Sequence, residues 1–200
     1  MQAIVLDMYG VIMVDAHGGL VPFVQSHFPA VTEDAVYAAW DALHLGGISP
    51  YQFWKMLGFT QDASQIEQLY LETIAIDKDF YAFAHAARGK YKLGLLSNDV
   101  SHWNAYLRKK FALNPLMDAI TVSGDIGIAK PNPQIFAHMA QKLGVPLSAC
   151  LLVDDAPYNI SAAQAAGMQS ILFARDTVPC GTNRIATFAQ LAHYISIAMH

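Results

Sequence analysis

Four groups of residues in this 200-residue chain have the types and placement to do chemistry: Asp7, the triplet Ser97-Asn98-Asp99, Lys130, and the pair Asp154-Asp155. Each follows a short apolar run. Asp7 comes after "AIVL" (3–6) and Ser97 after "LGLL" (93–96); Lys130 lies in the loop beyond "AITV" (119–122), and the acidic pair follows "LLV" (151–153). A lone Asp after a strand carries little weight, because Asp is a common turn residue and helix cap. Four polar stations at successive strand ends carry much more, since open parallel sheets bind their ligands there. Two adjacent like charges at a strand end are best explained by a shared cation.

The elements that must position these groups can be read from the pattern. With "SILF" (170–173), the runs make five buried parallel strands. Helical patterns separate the last four: "SHWNAYLRKKF", "NPQIFAHMAQKLG" and "PYNISAAQAAGM". In the second, Asn132 is expected to cap, Pro133 to occupy the first turn and Gly144 to stop the helix; Gly167 ends the third in the same way. Alternating strand and helix predicts an α/β fold, a Rossmann-like doubly wound parallel sheet. About eighty residues between the first two strands have another character. "TEDAVYAAWDALHLGG" starts at a Thr32 cap with Val36, Ala39, Trp40 and Leu43 on one stripe. "SPYQFWKMLG" has a Ser49 cap and turns Phe53, Trp54 and Leu57 inward; "SQIEQLYLETI" adds Ile66, Leu69, Tyr70 and Ile74. The predicted organisation is a core of residues 1–15 and 80–200 with a small helical cap, 16–79, inserted after the first strand.

Composition narrows the function classes. No run approaches the ~20 apolar residues of a membrane-spanning helix, and no basic leader precedes an apolar segment at the N-terminus, so a cytoplasmic location is expected. Cys150 and Cys180 fit no metal-ligand spacing and read as structural. Net charge is −4 and the first basic residue is Lys55, which argues against nucleic acid as a partner. No membrane association is expected, and the chain is expected to be a monomer or homodimer.

In order and spacing, these stations resemble the motifs of the haloacid dehalogenase superfamily of hydrolases. "VLDMYGV" is similar to the first motif, "LLSND" to the second, "SGDIGIAKPNPQIF" to the third and "LLVDDAPYNISAAQAAGM" to the fourth. The resemblance implies Asp7 as nucleophile and Ser97, Asn98 and Lys130 as groups that bind the transferring phosphoryl. It also implies a Mg²⁺ site built from Asp7, the backbone carbonyl of Tyr9, Asp154 and Asp155. The physics agrees: a carboxylate attacking an anionic group needs cations to offset repulsion, and a hard divalent cation takes oxygen ligands. Asn159 is expected to orient the loop after the acidic pair.

Tyr9 departs from the pattern. Most phosphatases of the family carry a second Asp there, which protonates the leaving alkoxide. A phenol with an ordinary pKa near ~10 suits that task poorly, and losing such help typically costs about 10²–10⁴ in rate. Haloacid dehalogenases of the family resemble this chain at Tyr9-Gly10, and halide leaves without a proton. They also work without metal, have Ser-Ser-Asn in place of Asp154-Asp155-Ala156, and hold substrate with an early arginine, which this chain lacks. Three readings follow in order: a Mg²⁺-dependent phosphatase acting through an aspartyl-phosphate, a metal-independent 2-haloacid dehalogenase, and a non-catalytic phosphate- or metal-binding relative. His17 and Asp15, before Gly18-Gly19, are candidate replacements for the missing acid. The cap acids Glu33, Asp34, Asp41, Asp62, Glu67 and Glu72 face only Lys55, which disfavours polyanionic substrates and suits a small phosphate ester such as a sugar phosphate.

Overall fold

A computed structural model of the chain describes residues 1–15, 18–59, 63–175 and 183–199, with only the backbone at residue 15. In chain order the elements begin with β1 (Ala3–Leu6) and β2 (Met13–Asp15), followed by α1 (Leu20–His27), α2 (Glu33–His44), α3 (Pro50–Met56) and α4 (Ala63–Thr73). Next come β3 (Ile74–Ile76), α5 (Phe80–Ala87), β4 (Lys92–Ser97), α6 (Ser101–Lys110), β5 (Ala119–Val122), α7 (Ser123–Ile126) and α8 (Pro133–Leu143). The chain continues through β6 (Cys150–Asp154), α9 (Pro157–Ala165), β7 (Gln169–Phe173), β8 (Arg184–Ile185) and α10 (Phe188–Tyr194).

The main sheet has the order β5-β4-β1-β6-β7-β8, and every pairing in it is parallel. All five expected strands are present, and β8 extends the edge. Successive side chains of β1 point to opposite faces, as the pleat requires. Ala3 and Val5 join the layer formed by α8 and α9, with Phe136, Met139 and Ala163. Ile4 and Leu6 pack on the other side with Phe80, Phe83 and Phe188 of α5 and α10. Helices on both faces cover the sheet, which is why its strands read as unbroken apolar runs.

Between β1 and β4, the helices α1 to α4 form the insertion. Thr32 accepts from the Ala35 N–H at the start of α2, and Ser49 forms a capping box with Gln52 at the start of α3. Asn132 caps α8, and Gly144 (φ 65°) stops it. One inward residue was misassigned: Leu69 is 49% exposed and Leu71 is buried in its place. The face of α4 that turns inward is set by packing against its neighbours, and Leu71 and Tyr70 win that position. The insertion hangs on a two-stranded antiparallel ribbon, β2 with β3, pairing Met13 with Ile76 and Asp15 with Ile74. It packs on the core through Trp103 of α6, fully buried, whose ring lies 5.7 to 6.0 Å from those of Trp40, Phe53, Trp54 and Tyr70. Cys150 is a buried free thiol on β6, and Cys180 lies outside the described residues.

Candidate active site

β1 lies between β4 and β6, so its carboxyl end opens at the middle of the sheet. The Asp7 N–H still bonds the carbonyl of Val153 (2.9 Å), and the chain leaves the sheet there. Asp7 Oδ1 lies 2.8 Å from Lys130 Nζ and accepts from the Met8 N–H at 2.7 Å; Oδ2 takes neither bond. Lys130 Nζ also donates to Asp154 Oδ2 at 2.6 Å. Asp154 Oδ1 accepts from the Ala156 N–H and from Asn159 Nδ2. Asn159 therefore holds the acidic pair's loop as expected.

Asp7, Asp154 and Asp155 each bring a carboxylate oxygen within 4.8 Å of the others. Burial, reinforced by Asp154 and Asp155, pushes Asp7 up to about 8 against the pull of Lys130. Asp155 is also raised, first by burial and then by Asp154. For Lys130, burial acts to lower the pKa, but Asp154 and Asp7 outweigh it and hold the ammonium charged. Three carboxylates against one ammonium leave negative charge without a partner, and the donors are all hard oxygens. That donor set fits a divalent cation such as Mg²⁺. Gly10 makes room for the Asp155 carboxylate beside the site: its φ is +73°, and a Cβ there would stand 2.0 Å from Asp155 Oδ2.

The other expected residues are placed more variously. Asn98 clasps Lys130 from both sides, its Oδ1 accepting from the Lys130 N–H and its Nδ2 donating to the Lys130 carbonyl, each at 2.8 Å. Its amide positions the lysine, while the residue also lines the cleft. Ser97 is completely buried at the end of β4, and its hydroxyl has no hydrogen-bond partner among the described residues. Among the described residues that line the cleft, it does not appear. His17 and the side chain of Asp15 lie outside the described residues.

The phenol of Tyr9 turns to Asp99, its hydroxyl 3.4 and 3.3 Å from the two carboxylate oxygens. Asp99 is fully buried; its carboxylate also accepts from the Val100 N–H and Asn104 Nδ2, and burial pushes it up to about 7. The Asp99 N–H donates to Ser123 Oγ, which donates to the carbonyl of His44 at the end of α2. Asp99, the last residue of the triplet at the end of β4, thus connects Tyr9 to the insertion. Sequence spacing gives no sign of this, because His44, Asp99 and Ser123 are far apart in the chain.

Above these groups is a cleft of about 1150 Å³ between the sheet and α1–α2. Asp7, Lys130 and Asp155 contribute to its floor, and Glu33, Tyr37 and Asp41 of α2 to its far wall. Two other cap acids are committed elsewhere. Glu67 pairs with His102 at 2.8 Å, and Glu72 with Lys110 at 2.9 Å, both on α6. Asp62 lies outside the described residues.

The family described as haloacid dehalogenase-like hydrolase matches residues 1–167 of the chain. A phosphatase of Mycobacterium tuberculosis, Phosphatase MT3486, is 36% identical over 95 residues, covering 47% of this chain and 44% of its own. The chain spans less than half the length of the curated relatives it matches. Among solved structures, the HAD family enzyme bt-2542 of Bacteroides thetaiotaomicron superposes with a TM-score of 0.77 at 19% identity, over 88% of this chain and 95% of that one. A second structure of that enzyme is a complex with magnesium and inorganic phosphate. The 2-haloacid dehalogenase of Pseudomonas syringae superposes at 0.69 with 17% identity, over 98% of both chains. At such identities these likenesses establish the shared fold alone.

Proposed function

This chain belongs to the haloacid dehalogenase-like hydrolases, and from that premise we propose that it hydrolyses a small phosphate monoester with Mg²⁺, through an aspartyl-phosphate on Asp7. One observation carries the reading: Asp7, Asp154 and Asp155 converge within 4.8 Å beside a single lysine. A dehalogenase that works without metal has no use for that acidic pair, and burying the Asp7 and Asp154 carboxylates side by side with a single lysine is costly without a further cation. The phosphatase among the relatives and the magnesium and phosphate complex of the structural neighbour support the same choice.

In this mechanism Asp7, the carbonyl of Tyr9, Asp154 and Asp155 would hold the metal, which supplies positive charge against the phosphoryl oxygens. Lys130 fixes Asp7 by Oδ1 and offsets charge on the transferring group. An Asp7 carboxylate oxygen attacks phosphorus, the bond to the ester oxygen breaks, and the alkoxide departs with a proton drawn from water. Water then attacks the aspartyl-phosphate, restoring Asp7 and releasing inorganic phosphate. The Ser97 hydroxyl, buried and without a partner among the described residues, would gain an acceptor from a phosphoryl oxygen. Tyr9 donates toward Asp99, away from the role of the usual second carboxylate. Turnover should therefore depend steeply on the leaving group, with aryl phosphates favoured over alkyl phosphates. The far wall of Glu33, Tyr37 and Asp41 suits a small neutral organic group beside one phosphate.

Tyr9-Gly10 is the observation that favours dehalogenation as a second reading. A panel of phosphomonoesters and 2-haloacids, assayed with Mg²⁺, with chelator and with Asp7→Asn, separates the two. Phosphoester turnover that needs both the metal and Asp7 is the expected result. Haloacid turnover that survives chelation would replace the phosphatase reading.

A further inference from the structure

Arg175 stands just beyond β7 and helps to line the cleft. Its guanidinium makes three directed contacts. Nε donates to the carbonyl of Gly10 at 2.8 Å, one terminal nitrogen donates to the carbonyl of Val11, and the other meets Asp77 Oδ2 at 2.5 Å. The ring of Phe173 lies 4.9 Å from the guanidinium carbon and fixes its plane. These contacts fall at two places that matter. Gly10 and Val11 lead from Asp7 into β2, and Asp77 follows β3, so one side chain grips both strands by which the insertion joins the core.

The contact with Gly10 also reaches the metal site. Gly10 lies directly after Tyr9, whose carbonyl is an expected ligand, and it has no Cβ because Asp155 occupies that space. The position of the Gly10 peptide therefore sets the separation between the Tyr9 carbonyl and the Asp155 carboxylate. We propose that Arg175 is a positioning residue for the metal site, locking the turn of residues 9–11 against Asp155 and tying that turn to Asp77 at the hinge of the insertion. The inference rests on the metal site proposed above. A guanidinium suits the task because its planar fork sends donors in fixed directions to three acceptors; an ammonium of equal charge cannot reproduce that arrangement.

The test uses the whole chain and Mg²⁺ alone, without substrate. Calorimetric Mg²⁺ affinity and backbone hydrogen exchange are measured for the wild type, Arg175→Lys, Arg175→Met and Asp77→Asn, with thermal melting as the check on folding. Both Arg175 variants should bind Mg²⁺ about 10–100-fold more weakly, the usual loss when a partner behind a metal ligand is removed. Exchange in both should rise over residues 9–15 and 74–79 and remain at wild-type level in β1, β4 and β6. Asp77→Asn keeps both carbonyl contacts, so it should raise exchange at 74–79 and leave Mg²⁺ affinity within about threefold.

Wild-type Mg²⁺ affinity in Arg175→Lys would overturn the proposal. So would faster exchange throughout the main sheet in that variant, which would mark a general loss of stability. Normal Mg²⁺ binding by the wild type with no phosphoester turnover would remove the phosphatase reading and leave the Arg175 result to be judged by affinity and exchange. Robust Mg²⁺-dependent turnover together with unchanged metal affinity in Arg175→Lys would remove the Arg175 proposal and leave the phosphatase reading intact.

Discussion

Asp7 carries opposing demands in one carboxylate. Chemistry needs it ionised, yet burial and two neighbouring carboxylates push its pKa up to about 8 in the metal-free protein. A carboxyl group raised above its unfolded value contributes stability that is full below the unfolded pKa, near 4, and is lost as pH rises through 8. At pH 7 in chelator, Asp7→Asn should therefore melt above the wild type, by about 2–4 °C for each kcal/mol of relief, while phosphoester turnover falls below detection. Calorimetry beside a turnover assay checks both. A lower melting temperature for the variant would contradict the electrostatic account of the site. The residues in that site differ in how legible they were. Asp7, Asp154 and Asp155 each end or follow an apolar run, where a carboxylate is visible in the sequence, and Lys130 lies in the loop beyond another. Asn98 was visible as a station, but its clasp on the Lys130 backbone depends on where a distant loop arrives. Asp99 was visible only as the last member of the strand-end triplet. Its carboxylate serves Val100, Asn104 and Tyr9, and only the folded structure brings Tyr9 to it.

Between the insertion and the core, the elements are held by a ring cluster, two acidic residues and one buried histidine. Trp103 of α6 is fully buried against four rings of the insertion, so Trp103→Ala should cost about 3–5 kcal/mol. It should also speed hydrogen exchange in α2 to α4 more than in the main sheet; exchange by mass spectrometry would show whether the loss concentrates there. His44 gives this contact a pH dependence. Its ring is buried at the end of α2, with Nδ1 3.3 Å from Ser123 Oγ; burial lowers its pKa, and Asp41 offsets this in part. A histidine lowered below its unfolded value contributes stability above pH 6.5 that is lost as pH falls. Asp7 and Asp99, both raised, act in the opposite sense, so the prediction is a difference: from pH 7 to pH 5 the melting temperature of His44→Asn should gain on that of the wild type. Equal slopes in the two proteins would show that His44 does not titrate with unfolding. The helices of the insertion were readable where a cap began them: Thr32 for α2 and Ser49 for α3. α1 begins at Gly19 and, in the core, α5 begins at Asp79, neither with a side-chain cap bond, so these starts are not marked as Thr32 and Ser49 mark theirs. β2 and β3 have three residues each, too few for a period, and exist because they pair with one another. Glu67 and Glu72 looked like part of an acidic substrate face, but their partners on α6 make them docking residues.

Across the whole molecule, the parallel sheet was the most legible feature, because strands buried on both faces read as plain apolar runs. Its edge was not: β8 has two residues and follows a stretch outside the described residues. The sheet order sets what the metal should do to global stability. Asp7 lies beyond β1 and the acidic pair at the end of β6, so a cation among them ties the two neighbouring strands together in the folded state alone. Mg²⁺ at 100 times its dissociation constant should stabilise the chain by about 2.7 kcal/mol, seen as a rise in melting temperature that Asp155→Asn reduces. No rise at saturating Mg²⁺ would remove the cation from the site. The same order has a consequence for assembly. β1 pairs on one side with β4 and on the other with β6, so the carboxylates of the site come from opposite ends of the sequence. Contacts this distant form late, after their loop-closure entropy has been met. The chain cannot hold a cation at Asp7 until β6 has docked, so on refolding, magnesium binding and turnover should return after the helical signal does.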